Sequence, residues 1–217
     1  MATVTETSPM VSVPPVLASA SPKAGILFDS LSVRRFSVDE YFRMARAGII
    51  REDEHVELID GVIVKMAAQG GPHVTSVTNS GDAFEEKLGR SVLIREEKPI
   101  ELVGTALEPD VVLARGSSRD YVEHHPRPTD ILLLIEVSES SLAYDLNVKG
   151  TLYATAGIIE YWIVDVENDR LEVFRDAVPA DEHHLAAYRT HLTFFDTDSV
   201  TPINFPNIQI KVADLLP

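Results

Sequence analysis

The chain has 217 residues, of which 45% are hydrophobic, enough to bury one core and with no sign of a second. It contains no cysteine, which excludes disulfides, thiol nucleophiles and Cys-ligated zinc. Its formal net charge of −15 means that any contact with a polyanion must rest on a local basic surface rather than on global attraction.

The first residues, "MATVTETSPMVSVPPVLASASPKAGILFDS", mix Pro, Ser, Ala and Val without periodicity. They predict a flexible leader over residues 1–34 ahead of a single domain over residues 35–217. No stretch approaches the ~20 apolar residues that cross a bilayer, and the start lacks the basic and apolar regions of a secretory signal. A cytoplasmic protein with no membrane partner is expected.

Ser37 stands three residues ahead of Glu40 and Gly48 ends the pattern, which predicts a short helix over residues 38–47. "HVELIDGVIVKM" reads as a hairpin turning at Asp60-Gly61. Helical spacing follows from His73 to Gly89. Strands are then expected in "SVLIREEKPIELV", bent at Pro99, in "PDVVLA" and in "ILLLIEVS". The last has no polar alternation from Ile131 to Ile135, as in a central strand covered on both faces. A helix is expected over residues 145–156, ended by Gly157, with strands "EYWIVDV" and "RLEVFR" on either side of Asn168-Asp169. Residues 181–205 are polar and poorly periodic, and predict peripheral sheet and loop.

Asp110 opens one expected strand and Glu136 closes the apolar run of another. If the strands are neighbours the carboxylates meet, and two charges ~4 Å apart repel by ~4 kcal/mol at an effective dielectric near 20. A shared proton, a cationic side chain or a metal ion would offset that. Lys149 is the candidate cation, on the helix after Glu136 and one turn from Asp145. Two readings stand for Glu136 and Lys149: a functional pair, or a buried ion pair that only holds structure.

The ordered series "VELIDGVIVKM", His73, "EPDVV", "LIEVSESS" and "DLNVKGTLYATAGIIEYWIVDV" resembles the Uma family of restriction-endonuclease-like proteins, over residues 36–216. The resemblance places the chain in the PD-(D/E)XK nuclease superfamily. It implies an α/β, restriction-endonuclease-like core, a mixed β-sheet flanked by helices with an N-terminal helix and hairpin, and a Mg²⁺-dependent phosphodiesterase site. Pro109 and Asp110 match the "PD" and Glu136 the second acid. The superfamily's lysine position holds Ser138, and in the Uma family the lysine is displaced to the next helix, matching Lys149. The implied metal ligands are Asp110 and Glu136, with Lys149 the catalytic cation and DNA the substrate.

Glu57 matches an acid of the family's first hairpin; it either reaches the metal through water or lies on a solvated strand face. Asp145 either positions Lys149 or caps its helix. His73 is a base, a phosphate contact, or a capping or packing residue. The pairs His124-His125 and His183-His184 lack ligand spacing and read as exposed loops. Trp162 and Tyr161 read as core, and no "GxSxG" elbow suggests a serine hydrolase. The expected activity is Mg²⁺-dependent endonucleolytic cleavage of DNA by a homodimer. The rival expectation is a non-catalytic interaction module that keeps the nuclease fold.

Overall fold

The computed structural model describes residues 33–217, so the leader expected over residues 1–34 falls outside the described residues except for its last two. From Val33 onward the chain forms a mixed α/β fold whose centre is a six-stranded sheet in the order Ala187–Phe195, Arg170–Val178, Glu160–Asp165, Ile131–Ser138, Val111–Ala114 and Leu93–Glu96.

Helix α1 (Val38–Arg46) starts as predicted: Ser37 Oγ accepts from the Glu40 amide, and the Glu40 carboxylate accepts from the Ser37 amide. Strands β1 (Val56–Ile59) and β2 (Val62–Lys65) form the hairpin, with Asp60 and Gly61 both at positive φ. Tyr41 of α1 packs on Leu58 of β1 and donates its phenol O–H to the Val56 carbonyl.

Helix α2 (Gly71–Leu88) contains Gly81, where the Glu96 carboxylate lies in the space a Cβ would take. The bent strand expected in "SVLIREEKPIELV" is two strands in two sheets. Strand β3 (Leu93–Glu96) ends the main sheet, whereas β4 (Ile100–Leu102) pairs with β5 (Thr105–Leu107) in a smaller sheet ordered β2-β1-β5-β4. The break falls where Glu97 takes a left-handed φ of 48° just before Lys98 and Pro99. A left-handed residue and a proline together end the ladder.

Strand β6 (Val111–Ala114) pairs antiparallel with β7 (Ile131–Ser138), which is buried at every position. Burial on both sides explains the unbroken apolar run: Leu133, Ile135 and Val137 face the cluster with α2, and Leu134 faces the cluster with Tyr153.

The helix expected to start at Asp145 starts earlier. It runs from α3 (Leu142–Tyr144) through a π turn (Asp145–Lys149) into α4 (Gly150–Ala156), and Gly157 at φ 77° ends it. This segment crosses from β7 to β8 (Glu160–Asp165), the one parallel pair in the main sheet. Strand β9 (Arg170–Val178) and the nine-residue β10 (Ala187–Phe195) complete that sheet. The region read as poorly periodic thus holds a long edge strand, whose half-exposed face hides its alternation. Strands β11 (Ser199–Val200) and β12 (Ile210–Lys211) pair separately.

Among the described residues, no helix is long and apolar enough to cross a membrane.

Candidate functional site

The register of β6 on β7 sets Val111 against Ile135, and carrying it one residue further sets Asp110 opposite Glu136. Glu136 shares a face of β7 with Leu134, so its side chain points beneath the helix that follows. That helix folds back over the strand and brings Lys149 and Tyr153 to it. Lys149 Nζ lies 2.8 Å from Glu136 Oε1, and the Tyr153 phenol donates to the same oxygen at 2.5 Å. The expected ion pair is therefore present, with Glu136 2% and Lys149 7% exposed.

Asp110 bridges two elements. Its Oδ2 accepts the Val137 amide at 2.6 Å, and its Oδ1 meets His73 Nε2 at 3.0 Å. His73 sits in the first turn of α2, and its ring is directed at the site rather than spent on capping.

Glu57 corrects one expectation: it is 3% exposed, so it does not lie on a solvated face. Its Oε1 accepts the Glu108 amide at 3.0 Å and lies 3.8 Å from Lys149 Nζ, while its Oε2 is buried without a hydrogen-bond partner. Pairing of β1 with β5 in the small sheet sets Glu57 beside Glu108 and Lys149, which a reading of the hairpin alone could not show.

Asp145 corrects another. It is not an N-cap, because the helix starts at Leu142 and Asp145 opens the π turn, its carbonyl accepting the Gly150 amide. Its carboxylate takes the Ser141 hydroxyl at 2.5 Å. Asp145 and Lys149 stand at the two ends of the π turn, four residues apart, and both are buried.

Asp110, Glu136, Lys149, Glu57, Asp145 and His73 line one cleft of about 500 Å³. Its lining is acidic, with Lys149 and Arg51 the only Lys or Arg among the described residues that line it, beside many carboxylates. Burial and neighbouring charge both shift the titration of the buried groups. Burial pushes Glu136 well above the usual carboxylate range; Lys149 opposes this, and Asp110, Asp145 and Glu57 add to it. Burial works against the Lys149 ammonium, but Glu136, Glu57, Asp145 and Asp110 outweigh it and raise its pKa. The two shifts have different leading causes: burial leads the rise of Glu136, and the surrounding carboxylates produce the rise of Lys149 against burial. Burial raises Asp145 as well, against Lys149 and Ser141.

Buried carboxylates in excess, one oxygen of Glu57 left without a partner and hard oxygen donors suit a divalent cation. The group His73, Glu97 and Asp110 also brings one potential ligand atom each to within 4.8 Å of one another. Glu97 was missed from the sequence. Its signal is a backbone conformation, the left-handed φ at the end of β3, which no local motif encodes. Tyr153 was read only as an inward helical residue; its one-turn spacing from Lys149 was the available sign of a shared role.

Of the remaining histidines, His55 is exposed and also lines the cleft. The His125 ring packs 4.6 Å from Phe42 at the cleft rim, and His183 and His184 are exposed around Asp181. Trp162 is fully buried and donates to Glu160 Oε1.

No curated protein matches the sequence. Among solved structures, the fold is similar to the crystal structure of a putative nuclease belonging to DUF820 from Anabaena variabilis ATCC 29413, with a TM-score of 0.58 and 14% identity. That match covers 83% of this chain and 97% of the other. Residues 38–213 match the model of the Uma2 family, described as "Putative restriction endonuclease", and the chain belongs to that family.

Proposed function

We propose that this protein is a Mg²⁺-dependent endonuclease that hydrolyses phosphodiester bonds of DNA in the cytoplasm. The observation that carries the reading is the convergence of Asp110, Glu136, Lys149 and Glu57, from four separate elements, in one cleft. Asp110 and Glu136 are the proposed ligands, and the ion supplies positive charge at the scissile phosphate and acidifies water there. Lys149 keeps its ammonium inside the cleft under the pull of four carboxylates, available to the negative charge that grows on the phosphate. Tyr153 holds the Glu136 carboxylate in one orientation. The unpartnered Oε2 of Glu57 can accept a hydrogen bond from water entering the cleft.

The test is nicking of supercoiled plasmid with Mg²⁺, compared between wild type and Asp110→Asn. Cleavage by the wild type that the variant lacks is expected. Equal cleavage by both would overturn the assignment of Asp110.

The acidity of the cleft and the net charge of −15 favour a second reading, a non-catalytic interaction module with the nuclease fold. Wild-type protein inert toward plasmid, single-stranded and branched DNA with every divalent ion tried would favour it. A homodimer, whose paired sites would cut both strands of a duplex, belongs to the first reading. Sedimentation as a monomer at micromolar concentration would count against it.

A further inference from the structure

The nuclease reading assigns the cation to Asp110 and Glu136 and leaves His73 and Glu97 unused. His73 Nε2 stands 3.0 Å from Asp110 Oδ1, with the two side chains 11% and 8% exposed. Two adjacent ligand atoms, each ~2.1 Å from one ion, lie ~3 Å apart. The pair is already at that separation. Glu97 brings a carboxylate oxygen to within 4.8 Å of both, and its side chain is exposed and able to close the remaining distance.

The backbone holds Glu97 beside Asp110. The Glu97 amide donates to the Asp110 carbonyl at 3.0 Å, and the left-handed φ of 48° turns the chain there out of the ladder of β3. All three residues line the cleft, as does Glu57, 3% exposed and with an unpartnered buried oxygen. That oxygen is a second sign, independent of the trio, that the cleft is built to receive a positively charged or hydrogen-bonding ligand.

We propose that His73 Nε2, Glu97 and Asp110 form a binding site for a borderline divalent transition-metal ion, for which Mn²⁺ is the probe. The inference deepens the proposed nuclease site, with which it shares Asp110. Mg²⁺ and Ca²⁺ favour oxygen-only ligands, whereas imidazole suits transition ions, so the nitrogen of His73 sets the preference. Two carboxylates balance the charge of the ion, and three protein ligands leave positions open to water or phosphate. Ligation needs the lone pair of Nε2, so the ring would carry its hydrogen on Nδ1 when the ion is bound, and an imidazolium would release one proton to solvent.

The experiment measures Mn²⁺ binding to the full chain by loss of the free-ion electron paramagnetic resonance signal, and Mg²⁺ binding by competition. Wild type should bind Mn²⁺ at least ~10-fold more tightly than Mg²⁺. Glu97→Gln and His73→Ala should each weaken Mn²⁺ by ~10-fold or more, with little change for Mg²⁺. Glu97 is exposed, so Glu97→Gln tests the site without risk to the fold. Mn²⁺ affinity unchanged in Glu97→Gln and His73→Ala would overturn the site. So would loss of Mn²⁺ binding in Glu136→Gln alone, which would assign the ion to Asp110 and Glu136 and leave the nuclease reading standing. Tight Mn²⁺ binding through His73 and Glu97 in a protein that cleaves no DNA would support the site and overturn the nuclease reading instead.

Discussion

Asp110 and Val137 are joined across the sheet: the carboxylate at the start of β6 takes the main-chain N–H that follows Glu136 in β7, at 2.6 Å. The same side chain that faces the cleft therefore also closes the end of the strand pair, and its functional and structural roles can be separated by choice of substitution.

Asp110→Asn keeps an acceptor for the Val137 amide, whereas Asp110→Ala leaves that buried N–H unpaired, a cost of ~1–3 kcal/mol. Denaturant unfolding should show the alanine variant less stable than the asparagine variant by about that amount. Both should lack Mg²⁺-dependent cleavage.

Lys149 sits between Glu136 and Glu57, at 2.8 and 3.8 Å. Lys149→Ala leaves these carboxylates without their cation, and should cost ~3–5 kcal/mol as well as cleavage. The double variant Lys149→Ala/Glu136→Gln should recover part of that loss, because the glutamine carries no charge to strand. A double-mutant cycle with no coupling between the two positions would refute the pairing.

Glu136→Gln should respond less to metal. Millimolar Mg²⁺ should raise the melting temperature of the wild type more than that of the variant, since an ion binding only the folded state at ~100 times its Kd adds ~2.7 kcal/mol. Equal shifts would show that Glu136 is not a ligand.

Glu172 gives a pH dependence away from the cleft. Burial raises its pKa, but hydrogen bonds from His191 and Thr193, both at 2.7 Å, and the charges of His191 and Arg170 outweigh this and lower it. A carboxylate with a lowered folded-state pKa stabilises above its unfolded value near 4.5, and that stability is lost as pH falls through the folded value. Stability measured from pH 6 downward should fall less steeply in Glu172→Gln than in wild type.

Gly61 has a φ of 74°, and a Cβ there would lie 2.5 Å from Arg35 Cβ and 2.9 Å from the Phe36 carbonyl oxygen. Gly61→Ala should cost ~1–2 kcal/mol from the left-handed backbone, with a further loss from displacing Arg35 and Phe36. A lower melting temperature than wild type is the expected result.

Local chemistry made part of this protein legible in one dimension. Ser37 and Glu40 encode a helix start within four residues, Asp60-Gly61 encodes a turn within two, and the run Ile131–Ile135 reports burial on both faces of one strand. Each signal is complete in its own segment, because capping, positive φ and hydrophobic pattern act over a few residues. The motif series around Asp110, Glu136 and Lys149 was legible as a resemblance to a family, carried by the order of its short segments.

Tertiary structure decided what depends on register and on how distant segments fold over one another. The division of residues 92–103 between two sheets depends on a left-handed Glu97, which sequence pattern does not mark. The burial of Glu57 depends on the pairing of β1 with β5, which sets it beside Glu108 and Lys149, and Asp145 opens a π turn that no local pattern marks. His73, Glu97 and Asp110 stand 24 and 13 residues apart along the chain, and only the packing of α2 against the ends of β3 and β6 brings their ligand atoms together.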